Sequence, residues 1–157
     1  MGGVTLNALM LGALALLLVS AGIEDARTRE IANWKNAAIL LLAPLWWWAN
    51  GLSPWPDMAI QFGLAAIVFA LFCGAFAMGW MGGGDVKMIG ALALWFPFVP
   101  LVWMLITMSL LGGALTLLLV IERAIRRKAG AIEIPYGVAI AIAALLALRE
   151  PIFNQFL

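Results

Sequence analysis

From Met88 to Ile121 the chain places no charged residue in 34 consecutive positions. As one helix, rising about 1.5 Å per residue, such a stretch would reach ~51 Å, well past a hydrocarbon core of about 30 Å. Pro97 and Pro100 lie inside it, and proline interrupts a helix because it lacks the backbone donor and clashes with the preceding turn. The stretch is therefore expected to form two short spans, about 86–99 and 101–121. Further apolar runs at about 4–23, 34–50, 58–81 and 134–149 bring the expected number of spans to six. Lipid offers no water to the backbone, so a run of this kind satisfies its own hydrogen bonds as a helix. The alternation that a membrane β-barrel requires is absent from these runs. The expected fold is all-α: one membrane-embedded domain over 1–157, a polytopic transmembrane helical bundle of about six spans.

Composition points the same way and removes several chemistries. Hydrophobic residues make up 66% of the chain and charged residues 11%, whereas a soluble domain carries roughly 45–50% and about 25%. A net charge of +1 gives no global field for nucleic acid. There is no histidine, so the commonest metal ligand and the usual general base are missing. Cys73, the single cysteine, lies in an apolar run and forms neither an internal disulfide nor a zinc cluster. No metal and no cofactor are expected. No Lys or Arg precedes Arg27, so the basic start of a secretory signal peptide is lacking and the first span is expected to stay in the mature protein.

With six spans, the loops 24–36, 82–87 and 122–133 share one side. They hold Arg27, Arg29, Lys35, Lys87, Arg123, Arg126, Arg127 and Lys128, eight of the nine basic residues, with Arg149 opposite. Reading Met88–Ile121 as one span would change that split to five against four. The positive-inside rule favours six spans, the basic side in the cytoplasm and both termini outside. Trp34 and Trp80 then fall near cytoplasmic ends, and Trp46, Trp47, Trp48, Trp55, Trp95 and Trp103 near outer ends, as an aromatic belt. Gly74, Ala75, Ala77 and Gly79 suit close packing of the third span.

Only eight acids are available for chemistry. Glu122 stands four residues before Arg126, the spacing of a helical surface pair. Asp57 follows Ser53-Pro54-Trp55-Pro56 and suits the start of the third span. Glu133 and Glu150 flank the last span, and Glu30 sits among basic residues. Two segments remain: Glu24-Asp25 after the first span, and Gly82-Gly83-Gly84-Asp85-Val86-Lys87 between the third and fourth. Three glycines free the backbone for close approach or positive φ. Asp85 reads equally as the N-cap of the fourth span, and Asp25 as a solvated loop charge. Their placement at one membrane boundary favours use, because partly buried carboxylates there are costly. Two carboxyls also suffice for peptide hydrolysis without Ser, Cys, His or metal. One ionised Asp takes a proton from water while a protonated Asp polarises the carbonyl, and a close pair shares one proton.

These residues resemble the bacterial type IV prepilin peptidases, in particular the short form that serves tight-adherence (Flp-type) pili. That family carries an Asp with Ile-Pro-Asn beginning six residues on, here Asp25 and Ile31-Ala32-Asn33. It carries Gly-x-Gly-Asp, here Gly82-Gly83-Gly84-Asp85, often followed by x-Lys as at Val86-Lys87. It carries a Pro-Tyr-Gly lead-in to its last span, here Pro135-Tyr136-Gly137. The resemblance implies a dyad of Asp25 and Asp85 that removes a short basic leader from prepilin or pseudopilin precursors, at the cytoplasmic face of the bacterial inner membrane. Gly82, Gly84, Lys87, Asn33, Pro135, Tyr136 and Gly137 are implied as supporting residues. The roles of several stay open: Lys87 either biases Asp85 or snorkels to headgroups, Tyr136 either bonds near the dyad or anchors at the interface, and Asn33 either pins the Asp25 loop or caps a helix. Pro135 suits a first helical turn. Ala32 departs from the family's proline. Long members also methylate the new N-terminus with a cytoplasmic segment, commonly bearing Cys-x-x-Cys pairs, that this chain lacks, so peptidase activity alone is implied. The expected partners are the precursor and the lipid bilayer, with no nucleic acid; oligomeric state is left open. Two other classes compete: a Gly-x-Gly-Asp intramembrane protease of the presenilin or signal-peptide-peptidase kind, and a small transporter or pilus or secretion assembly subunit whose acids carry protons or pair with arginines.

Overall fold

The computed structural model describes residues 2–126 and 134–149, with side chains from Thr5 onward. Six α-helices follow one another: α1 (Gly2–Thr28), α2 (Asn33–Ala49), α3 (Ala59–Ala77), α4 (Gly83–Ala93), α5 (Phe98–Arg126) and α6 (Tyr136–Ala147). No strand occurs among the described residues. The segments Thr5–Thr28, Pro54–Ala77 and Phe98–Arg126 are long and apolar enough to cross a membrane. The fold is an all-α membrane helical bundle, and each apolar run read from the sequence overlaps one helix. The helices are unequal, however. α4 has 11 residues and α6 has 12, short of the ~20 that span a bilayer. Arg127, Lys128, Glu133 and Glu150 lie outside the described residues.

The uncharged stretch breaks at Pro97, and Pro100 falls in the first turn of α5. α4 stops at Ala93, the chain turns through 94–97, and α5 starts at Phe98, its first turn closed by Leu101 N–H on the Pro97 carbonyl at 2.9 Å. Glycine ends α2 and α3. Gly51 and Gly79 take φ of +72° and +74°. Beyond α2 and α3 the next residues, Leu52 and Trp80, bond back to Trp47 and Ala75 carbonyls at 3.0 Å, which satisfies carbonyls otherwise orphaned at a helix end.

α4 is the buried centre. Val86 and Met88–Ala93 are all enclosed, between α3 and α2 on one side and α6 on the other. Its C-terminal carbonyls would be orphaned in that apolar interior. Gln61 Nε2 donates to the Ala93 and Phe96 carbonyls at 2.8 and 2.6 Å, and Trp47 Nε1 to Leu94 at 2.9 Å. Trp95 Nε1 returns to the Ile39 carbonyl at 2.8 Å. This corrects part of the belt reading: Trp46, Trp47 and Trp95 are core residues, with Trp46 and Trp95 rings 5.7 Å apart, while Trp34, Trp48, Trp55, Trp80 and Trp103 are exposed. Of the small residues read for close packing of the third span, Gly74 meets no neighbour and Ala77 and Gly79 are exposed, while Ala75 is half-buried. Asp57 does start the α3 segment, its Oδ2 accepting from the Ser53 N–H and hydroxyl at 3.1 and 2.8 Å. Glu122 and Arg126 pair at 3.0 Å on the exposed face of α5.

Candidate active site

α1 runs past the expected boundary to Thr28, so Asp25 stands on rigid helix rather than on a loop, and it is 4% exposed. The first turn of α6 is aimed at it. A helix N-terminus has amide groups without intrahelical partners, and here Gly137 and Val138 N–H groups donate to the Asp25 carboxylate, the latter at 3.3 Å to Oδ2. Position 137 has no room for more than hydrogen. A β-carbon there would lie 2.8 Å from Ile31 Cδ1 and 2.9 Å from Asp25 Cγ and Oδ2. Pro135 precedes α6 as its cap residue, and the Tyr136 ring packs over Gly112 of α5. The Pro135-Tyr136-Gly137 sequence thus aims a helix start at one carboxylate.

Asp85 is the third residue of α4 and is 8% exposed. It is not the N-cap. Gly82 holds that position, and Asp85 reaches back to the Gly82 N–H. The residue lies outside the long apolar segments, and its carboxyl is pushed up to about 7. Desolvation is the largest cause and the charge of Asp25 the second, opposed by the Gly82 N–H. Gly82 has φ −72°, and a β-carbon added to Gly84 would meet Ile31 at an ordinary 3.5 Å, so the glycines give a compact turn here without positive φ.

The two carboxyls line one cavity of about 320 Å³, with Arg29, Glu30, Ile31, Asn33 and the three glycines. A second cavity of about 540 Å³ also touches both and extends to Thr28, Trp80 and Tyr136. Arg29 closes α1 with φ +59°, its N–H on the Asp25 carbonyl at 3.0 Å.

The supporting residues tie α2 to this centre. Asn33 opens α2 after the cap residue Ala32, and its Oδ1 accepts from Lys87 Nζ at 2.8 Å. Lys87 is thereby engaged with Asn33, and neither of its expected roles describes that bond. Asn36, buried, donates to the Gly84 carbonyl at 3.2 Å. Glu24 turns away from the cavity. Its carboxylate bonds Lys35 Nζ at 2.8 Å and the Ala32 N–H at 3.1 Å, while Lys35 also reaches the Ser20 carbonyl at 3.1 Å. The Ala32 amide donor is one that a proline would lack. Lys35 entered the sequence reading only as a topological charge and Asn36 not at all. A lysine two residues inside an apolar helix, near an acid at the end of the previous one, was the available signal.

The sequence matches the type IV leader peptidase family over residues 12–117. No curated protein and no solved structure gives a match.

Proposed function

The chain belongs to the type IV leader peptidase family, and from that premise we propose that it is an aspartic endopeptidase cleaving the leader from Flp-type prepilins, with Asp25 and Asp85 as its dyad. The observation that carries the reading is the pair itself: two buried carboxyls, brought from α1 and α4 into one cavity. Their surroundings divide the labour. Asp25 receives two backbone N–H groups from α6 and Asp85 one from Gly82, so a single negative charge is better held on Asp25. Asp85 keeps the proton.

In the proposed reaction Asp25 takes a proton from water as the water oxygen attacks the scissile carbonyl carbon. Asp85 donates its proton to the carbonyl oxygen, giving a neutral gem-diol. Collapse returns a proton from that diol to Asp85, Asp25 delivers its proton to the leaving nitrogen, and the C–N bond breaks. The products are a leader carboxyl and a free amine, and both aspartyl groups end as they began.

The eight basic residues that the six-span reading groups on one side support a cytoplasmic, inner-membrane position for this end of the bundle. Co-expression with an Flp-type prepilin tests the function. The expected product is a pilin shortened by its leader, with an unmethylated N-terminal amine by mass analysis. Intact precursor would contradict the peptidase reading, and a methyl group added by this chain alone would contradict the restriction to hydrolysis.

A further inference from the structure

Beside the dyad, α2, α3 and α4 enclose an open apolar groove of about 480 Å³. Ala37, Ala66 and Ala91 keep its floor low, and Phe62 and Phe69 stand along it. Small side chains of this kind let another helix approach closely in a membrane. The groove begins at Asn33, which also lines the cavity of the two carboxyls.

At that same end the groove meets Asn36. This residue is 4% exposed, and its Nδ2 is committed to the Gly84 carbonyl, one residue before Asp85. Its Oδ1 is buried without a hydrogen-bond partner among the described residues. An unpaired buried acceptor is costly, and no interaction among the described residues uses this one.

We infer that the groove seats the apolar helix of the precursor, with Asn36 Oδ1 accepting an N–H from the first turn of that helix. The inference rests on the peptidase reading. A helix that starts just past the cut bond brings four amide groups without intrahelical acceptors. Asn36 offers an acceptor at the groove end nearest the dyad, and the apolar floor receives the turns that follow. A lipid acyl chain would fill the apolar part equally well, but it has no donor for Asn36.

The test uses a precursor with a short basic leader joined to an apolar helix of about 20 residues. Cys73→Ser and Asp25→Asn are combined so that the enzyme holds uncut precursor, and a cysteine is introduced at Ala66 or, as control, at Leu110 on the outer face of α5. Disulfide formation with a cysteine in the first turns of the precursor helix is expected from position 66 and not from 110. In the active protein, Ala66→Trp or, across the groove, Ala37→Trp should raise KM on the order of tenfold, with the loss carried by KM. Equal disulfide yield from 66 and 110, or an unchanged KM in both tryptophan variants, overturns the inference and leaves the groove to lipid. Whether the wild-type protein cuts this precursor is scored separately. Cutting without the disulfide leaves the peptidase reading standing, and the disulfide without cutting leaves the groove standing.

Discussion

Gly137 approaches Asp25 so closely that a β-carbon on it would stand 2.9 Å from the carboxyl carbon. The contact is between the start of α6 and the side of α1, and backbone N–H groups of 137 and 138 complete it. Gly137→Ala should therefore push α6 and Asp25 apart. A displacement near 1 Å costs on the order of 100-fold in rate. The expected result is a protein that accumulates in the membrane yet cleaves precursor on the order of 100-fold more slowly. Wild-type cleavage by Gly137→Ala would contradict this account of the contact.

The pH dependence follows from Asp85, held at about 7 by desolvation and by Asp25. A carboxyl raised above its unfolded value makes the folded state bind the extra proton. Stability from this group is thus fullest in acid and falls as pH rises through the unfolded value towards about 7. If the proton on Asp85 is the one donated to the substrate, cleavage declines over the upper part of the same window. Asp25→Asn removes the nearby charge and should move the Asp85 titration downward, followed by carboxyl signals of labelled aspartate. An unmoved titration would show that the two groups do not interact.

Glu24 and Lys35 form a clamp across the turn that carries Ile31, and β-carbons added at Gly84 or Gly137 would both meet Ile31. Glu24→Gln keeps an oxygen for the Ala32 N–H and should retain most of its cleavage. Lys35→Met should lose more, because it frees both Glu24 and the Ser20 carbonyl. Precursor cleavage and membrane accumulation are measured together. Loss of cleavage in Glu24→Gln with full accumulation would make Glu24 a reacting acid.

Gln61 satisfies two carbonyls beyond the end of α4. Gln61→Leu keeps the packing volume and removes both of these hydrogen bonds, which should destabilise the bundle by about 1–3 kcal/mol. A lowered midpoint of thermal unfolding in detergent checks it, and an unchanged midpoint would mean that other donors replace Gln61.

The bundle was legible because apolar runs in lipid have one backbone solution, and the break at Pro97 because proline leaves few choices. Asp25 and Asp85 were legible because acids are rare here and each belongs to a short motif. Contacts between distant helices were not. Nothing local tells that Trp47 and Gln61 serve the end of α4, or that the Trp46 and Trp95 rings meet in the core, because a tryptophan near a membrane surface has the same sequence signature whether it faces lipid or protein. Asn36 and Lys35 were hidden for a related reason. Each is a polar residue beside a loop, and only the packing of α2 against α1 and α4 buries it.

The central claim is that Asp25 and Asp85 act as one catalytic pair, and precursor cleavage by single amide variants tests it most directly. Asn neither takes a proton from water nor cycles between protonation states. Asp25→Asn and Asp85→Asn are each expected to abolish cleavage while the protein still inserts and accumulates, with Asp57→Asn, on the α3 start, cleaving normally. Normal processing by both single variants at 25 and 85 would contradict the account and leave the two acids as structural partners of the α6 and α4 helix starts.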